Sequence, residues 1–497
     1  MSIPSNDKAP PGGDKADCSS LIADRFTGAR VTVMGLGTRG GGVGVARYLA
    51  EQGAVVTVTD MKPEEALAGP MAELAGLPIR FVLGRHDDRD FTPEGADIVV
   101  RNPGVRRSAR LLQLARETGV AIEMEMSIFF RACPAPVIGI TGTKGKTSTA
   151  FLCAAMLSAW DQRTVLAGNM GISALAALPR IAPDTPVVIE LSSWQLEALA
   201  EHRLAPAIAV LTNISQDHLD AYDSFDDYAA TKRSITSAQS ATDTFIVNAD
   251  DPETWRAASE TAARVIPFGQ DDRGTDGVWF EAENGALVAR LGETPVVVSI
   301  PANPTLAGPH QGLNIAAAVA AALSRGAPAA AIEQGLASFQ GVRDRMEVVA
   351  EIDGVTYVND TTATAPAAVV AALTRYADRP VRLIAGGADK RTDLAPMVEA
   401  ARVHADVVYL LQGSATPTLA GLLEGAGVPL VGPFETMQDA VQAATAHAAA
   451  GDVVLLSPGC ASFGLFQDEF HRGACFREAV AAAALPARDA TQGVRAQ

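Results

Sequence analysis

Three consecutive α/β modules are the fold this sequence predicts. Strand-like apolar runs alternate with helix-like runs along nearly the whole chain, the pattern of parallel sheets covered by helices. A buried run in each module delivers a glycine turn: ARVTVMGLG (29–37), PVIGITG (136–142) and VRLIAGG (381–387). Proline punctuation near residue 134 and a change of texture near 342 separate the modules. We place a flexible tail at 1–28, modules at 29–134, 135–341 and 342–485, and a short tail at 486–497.

In the first module a helix through VARYLAEQG follows the glycine turn, and AVVTVTD is the second strand, ending at Asp60. IRFVLG and ADIVVRNPG add strands, and EMEMSIFFRACPAP reads as a connecting helix with a proline stop. In the second, VVIELSS, IAVLTNIS and TFIVNADD are buried strands. Residues 272–305 alternate over short runs and predict a small antiparallel appendage, and GLNIAAAVAAALSRG is a helix with a glycine stop. In the third, ADVVYLLQG and DVVLLSPG are further strands that deliver turns.

Apolar residues make up 48% of the 497, enough for several cores. A formal charge of −17 argues against a nucleic-acid partner, because a polyanion is repelled. Cysteines 18, 133, 153, 460 and 475 form no C-x-x-C pair, which points to reduced thiols and no zinc site. No signal peptide and no apolar run of about 18 residues is present, so a cytoplasmic protein without a membrane partner is expected.

Gly35-Leu36-Gly37-Thr38-Arg39-Gly40 follows a strand, opens a helix and has Asp60 downstream. That pattern suits a dinucleotide, and a nicotinamide-dependent oxidoreductase is therefore a rival reading. The physics is broader: any diphosphate joined to a ribose suits such a turn. In the second module GITGTKGKTST (139–149) ends like a phosphate-binding loop, but Ile140 stands where that pattern has its first glycine. A run of backbone N–H groups at a helix start binds phosphate regardless. Lys146 is placed to reach the β/γ-phosphates and Thr147 to hold Mg²⁺, with Thr141 and Thr143 offering hydroxyls. Glu190 ends one strand and His218 follows another, both read as lying on adjacent strand ends within reach of the metal. A histidine ligand is unusual for Mg²⁺; action through water, or Mn²⁺, are the alternatives. By sequence alone Lys232 is a surface lysine on a helix.

TGTKGKTS, ELSSWQLE, NISQDHLDAY, YAATKRSI, VNADD, GPHQGLNIAAA, VRDRME, NDTTATAP, GGADK and LLSPGCASF stand in the order seen in the Mur ligases, which the chain resembles from about residue 30 to 480. The resemblance implies a UDP-binding Rossmann-like first domain, a central P-loop ATPase-like domain and a Rossmann-like C-terminal domain. It implies ATP-driven addition of glutamate to UDP-N-acetylmuramoyl-L-alanine through an acyl phosphate, by a monomer. D-glutamate is the expected amino acid and L-glutamate the alternative; an ATP-binding regulator is the non-enzyme rival. Two Mg²⁺ ions are implied, at Thr147, Glu190, His218 and Lys232, the last carbamylated. For catalysis the resemblance points to Lys146, His218 and Lys232, and for ATP to Thr141, Gly142, Thr143, Lys144, Gly145, Lys146, Thr147, Ser148, Asn314, Arg345 and Asp360. Thr38, Arg39, Asp60, Gly104 and Asn169 would serve the UDP-substrate, and Thr364, Lys390, Ser462 and Phe463 the amino acid. Four positions depart from the family pattern: Arg39 and Gln311, Thr362 in place of a lysine, and Glu469 in place of an aromatic.

Overall fold

The computed structural model describes residues 25–37, 41–170, 173–216, 222–270, 273–281, 286–292, 294–303, 306, 309–390 and 392–484. It contains three sheets, distributed over two compact units that meet between Phe339 and Gln340 in the chain.

The first unit holds two of the sheets. Five parallel strands, β1 (Arg30–Met34), β2 (Val55–Asp60), β3 (Ile79–Leu83), β4 (Ile98–Arg101) and β5 (Ala121–Glu123), are ordered β3-β2-β1-β4-β5. The order reverses direction at β1, so the crevice for a ligand lies at the carboxyl ends of β1 and β4.

The second sheet comprises β6 (Val137–Thr141), β7 (Val165–Gly168), β8 (Val187–Glu190), β9 (Ile208–Leu211), β10 (Thr244–Asn248), β11 (Arg264–Gly269), β12 (Gly277–Glu281), β13 (Ala286–Arg290) and β14 (Val296–Ser299). Their order is β14-β13-β12-β11-β10-β9-β6-β8-β7. VIGIT, VVIE and IAVL are buried along their whole length, as strands covered on both faces must be. The antiparallel appendage is present as β12 to β14, but β12 pairs in parallel with β11, so it extends the central sheet rather than standing apart. One apolar core runs from Val33 and Leu49 beside the first sheet through Phe129 to Leu175, Leu196 and Leu211 beside the second. The connecting helix Glu125–Ala132 supplies Phe129, which is why two sheets share one unit.

The second unit holds β15 (Glu347–Ile352), β16 (Val355–Asn359), β17 (Val381–Gly386), β18 (Val407–Leu411), β19 (Leu430–Phe434) and β20 (Val453–Leu456), ordered β15-β16-β20-β17-β18-β19. β15 and β16 form an antiparallel hairpin closed by Asp353 and Gly354, both at positive φ, the conformation a two-residue hairpin turn requires.

Candidate functional site

The phosphate-loop sequence lies between β6 and the helix Lys146–Trp160, at the centre of the second sheet. Its two glycines are both required. Gly142 has φ +150°, and a Cβ there would stand 2.0 Å from the Thr212 hydroxyl. Gly145 has φ +80°, and its Cβ would stand 2.3 Å from Asn314 Oδ1. A left-handed backbone and a close neighbour exclude other residues at both positions.

Within this loop Lys146 Nζ donates to the carbonyls of Gly142 (2.9 Å) and Thr143 (2.8 Å), so the ammonium lies against the turn itself. Lys144 is exposed, Thr147 is half-buried and Ser148 is buried. The two flanking threonines correct the sequence expectation. Thr141 Oγ1 donates to Leu191 O (2.7 Å) and accepts from Lys232 Nζ (3.1 Å). Thr143 Oγ1 accepts from Ser215 N (3.0 Å) and lies 3.1 Å from the Tyr228 hydroxyl. Both hydroxyls turn into the protein, where these partners hold them.

Glu190 ends β8 and is 2% exposed. Its Oε1 accepts from Asn169 Nδ2 (3.1 Å), while Oε2 is buried with no hydrogen-bond partner. An orphaned buried carboxylate oxygen is costly, and a cation is the natural partner for it. Mg²⁺ fits this donor set: a hydroxyl at Thr147 and one carboxylate leave its other positions to phosphate and water. No three His, Cys, Asp or Glu side chains converge among the described residues. The adjacent-strand expectation is corrected, since β6 lies between β8 and β9. His218, Thr38 and Arg39 lie outside the described residues.

Lys232 overturns its surface reading. It sits on the helix Phe225–Arg233, is 2% exposed, and places Nζ 5.6 Å from the Tyr228 ring centroid. Asn314, on the helix Pro309–Arg325, reaches across the loop to Thr149 Oγ1 (3.4 Å) and donates to Gln311 Oε1 (2.8 Å). The Gln311 amide therefore helps to hold Asn314.

On the first sheet, Asp60 is buried. Its Oδ2 accepts from Leu36 N (3.0 Å) and Gly37 N (3.2 Å), and Oδ1 accepts from Lys62 N (2.9 Å). Its carboxylate thus holds the glycine turn in shape. Gly104 is exposed beside it, with its N–H donating to Asn102 Oδ1 (3.1 Å).

In the second unit the turns after β16, β20 and β17 are laced together. Ala388 N donates to Ala461 O (2.9 Å) and Ala461 N to Ala388 O (3.1 Å), which joins the Lys390 turn to the Ser462 turn. Gly459 N donates to Ala363 O (2.8 Å), which joins the Thr364 turn to both. Lys390 is exposed, Thr364 half-buried, Ser462 buried and Phe463 60% exposed. Arg472, which sequence reasoning passed over, is fully buried and donates to Thr361 Oγ1 (3.0 Å), Thr361 O (2.8 Å) and Cys460 O (3.2 Å). A buried polar residue stapling two turns leaves no local sequence signal.

Arg345 is exposed between Asp344 (φ +65°) and Met346 (φ +45°). Positive φ at two non-glycine residues stores strain of the kind found at functional loops. Asp344 is anchored by Arg477 (2.8 Å) and Asn359 Nδ2 (3.0 Å). Asp360 accepts from Met346 N (3.1 Å) and from the Ser457 hydroxyl (3.0 Å). Burial pushes its carboxyl up to about 6, against the opposing Ser457 and Met346 hydrogen bonds and the Arg345 charge. The folded state therefore holds this proton when the unfolded chain has lost it. Asp360 costs no stability below about pH 4, and the cost is complete once pH has risen through the folded value. We expect the parent to lose about 3 kcal/mol relative to Asp360→Asn between about pH 4 and about pH 7, read by urea unfolding. Parallel pH profiles for the two proteins would refute it.

Sequence models of the Mur ligase family match three stretches: the MurD-like N-terminal domain over residues 29–123, the middle domain over 140–322, and the glutamate ligase domain over 344–460. A Roseiflexus sp. (strain RS-1) protein named UDP-N-acetylmuramoylalanine--D-glutamate ligase is 46% identical, over 92% of this chain and 99% of its own. The chain belongs to the Mur ligase family. A second relative of the same name, from Trichlorobacter lovleyi, is 40% identical over 91% of this chain and 98% of its own. The UDP-N-acetylmuramate-alanine ligase of Thermotoga maritima shares the fold, with a TM-score of 0.58 at 20% identity, covering 92% of this chain and all of that one.

One departure from the Mur ligase pattern now has a structural account. Thr362 N and Oγ1 both donate to Asp344 O (3.2 and 3.0 Å), so the residue in the lysine position braces the Arg345 loop. Glu469 opens the helix Glu469–Ala483 and its carbonyl accepts from Thr361 Oγ1 (2.8 Å), a contact that uses only the backbone of residue 469 and does not explain the glutamate.

Proposed function

We propose that this Mur ligase joins D-glutamate to UDP-N-acetylmuramoyl-L-alanine at the expense of ATP, a cytoplasmic step of peptidoglycan precursor synthesis. The observation that carries the ligase chemistry is the phosphate loop with Lys146 after β6, and the half-satisfied carboxylate of Glu190 at the end of the paired strand β8. The acceptor and amino acid follow from what the relatives are named. No observation favours L-glutamate or a nicotinamide-dependent reaction.

In this reading the loop N–H groups and Lys146 bind the β/γ-phosphates of ATP, and Asn314, Arg345 and Asp360 contribute to holding the nucleotide. Thr147 and Glu190, supported by His218 and carbamylated Lys232, would hold Mg²⁺, which would supply positive charge against the phosphate oxygens. The γ-phosphoryl group passes to the substrate carboxylate and gives an acyl phosphate and ADP. The glutamate amine then attacks the acyl carbon, phosphate leaves with the C–O bond electrons, and the nitrogen loses a proton as the amide forms. The glycine turn held by Asp60, with Thr38, Arg39 and Gly104, takes the uridine diphosphate, and Asn169 the muramoyl end. Thr364, Lys390, Ser462 and Phe463 take the amino acid, Lys390 supplying the charge a carboxylate needs. The enzyme acts as a monomer, with no nucleic-acid or membrane partner. Among the described residues no helix is long and apolar enough to cross a membrane.

Phosphate release tests this reading. It should require ATP, UDP-N-acetylmuramoyl-L-alanine and D-glutamate together, and release with ATP alone would sink it. Lys390→Ala should raise the D-glutamate KM about tenfold, with the ATP and UDP-substrate KM values nearly constant. Because Lys390 is exposed, this effect is smaller than for a buried pair. An unchanged D-glutamate KM would show that the amino-acid site is misplaced.

A further inference from the structure

A small cavity lies beneath the glycine turn of the first sheet, lined by Gly35, Gly41, Gly42, Arg101, Asn102 and Glu125 among others. Two of its lining residues, Arg101 and Glu125, are charged and bond to the second sheet's elements. Arg101 is buried and pairs with Glu197 (2.9 Å) on the helix Ser193–Glu201, which begins shortly after Glu190. Glu125 is buried, and its Oε1 accepts from Ser173 Oγ (2.6 Å) and Ala174 N (2.9 Å). Its Oε2 lies 3.7 Å from where a Cβ on Gly41 would stand, at the start of the helix Gly41–Glu51. Ser173 in turn presses on that helix: a Cβ on Gly44 would stand 2.2 Å from Ser173 Oγ. A single carboxyl thus sits against the helix that opens at the glycine turn and grips the segment that follows Asn169. Burial pushes Glu125 up from the ordinary carboxylate range, against the hydrogen bonds from Ser173, Leu175 and Ala174. A buried acid is expensive, and leucine or glutamine would fill the same volume at lower cost.

We infer that Glu125 is a positioning residue that sets the spacing between the two halves of the UDP-substrate site, the glycine turn of the first sheet and the Asn169 segment of the second. The inference rests on the placement of that substrate proposed above. Glu125 touches neither half of the ligand; it fixes the distance the ligand must span. A ligand that fills both halves depends on the spacing, and one that fills only the turn does not.

Calorimetry with two ligands separates these cases. Glu125→Ala should raise the Kd of UDP-N-acetylmuramoyl-L-alanine about tenfold and leave the Kd of UDP within about twofold. Glu125→Gln should restore substrate binding to within about twofold, because its amide oxygen still accepts from Ser173 and Ala174. Ser173→Ala, which keeps the buried carboxyl and guards against a Glu125→Ala chain that does not fold, should weaken substrate binding about threefold with UDP unaffected. Equal weakening of UDP and substrate would overturn the inference by making Glu125 a plain support of the turn. Substrate binding unchanged in both Glu125→Ala and Ser173→Ala would overturn it as well. If the parent chain bound neither ligand, the placement of the substrate would fall and this inference with it.

Discussion

Lys146→Ala is expected to lower substrate-dependent phosphate release by about a hundred- to a thousandfold while leaving UDP-substrate affinity within about twofold. The split follows from placement. Lys146 follows β6 in the second sheet, and the glycine turn held by Asp60 follows β1 in the first. Removing the ammonium takes away a fixed positive charge where negative charge is spread over transferring phosphate oxygens. The helix Lys146–Trp160 should tolerate alanine, the best helix former, so a folding defect is not the expected outcome. Stopped-time phosphate assays and calorimetry with the UDP-substrate give the two numbers. Turnover within about tenfold of the parent would remove the loop from the chemistry.

The second large effect concerns Lys232. Lys232→Ala is expected to cut turnover by about a hundredfold, with partial recovery in formate or acetate. Nζ sits 3.1 Å from Thr141 Oγ1, at the end of the strand that delivers the phosphate loop. Carbamylation would turn this buried ammonium into an anion facing the loop, and a small carboxylate entering the space left by the side chain would supply that charge again. ¹³C NMR of the parent under labelled CO₂ should show a carbamate signal that Lys232→Ala lacks. Undiminished activity in CO₂-depleted buffer, with no such signal, would refute the carbamate.

Much of the fold was legible because it rests on local periodicity. Fully buried runs such as VIGIT and IAVL read as parallel strands, and glycine turns marked the strand ends. The hairpin from β15 to β16 was not read from the sequence, although Asp353-Gly354 between β-rich runs is the signal that could have found it. The segment 272–305 was read as antiparallel, but its attachment to β11 was not, because strand neighbours are chosen by pairing distant in the chain.

The site divides in the same way. By itself the sequence determined the phosphate loop, since Gly142, Gly145 and Lys146 act through backbone conformation and a position a few residues apart. It also determined that Glu190 stands at a strand end. Only tertiary structure decided which hydroxyls face inward at Thr141 and Thr143, that Asp60 is spent on its own turn, and that Lys232 is buried. Tertiary structure alone placed β6 between β8 and β9, and brought Glu125 to Ser173 and Arg472 to Thr361. The physical reason is range. A turn or a helix start is fixed by neighbours within a few residues, whereas burial and hydrogen-bond partners are fixed by segments separated by 48 residues for Ser173 and Glu125 and 111 for Arg472 and Thr361.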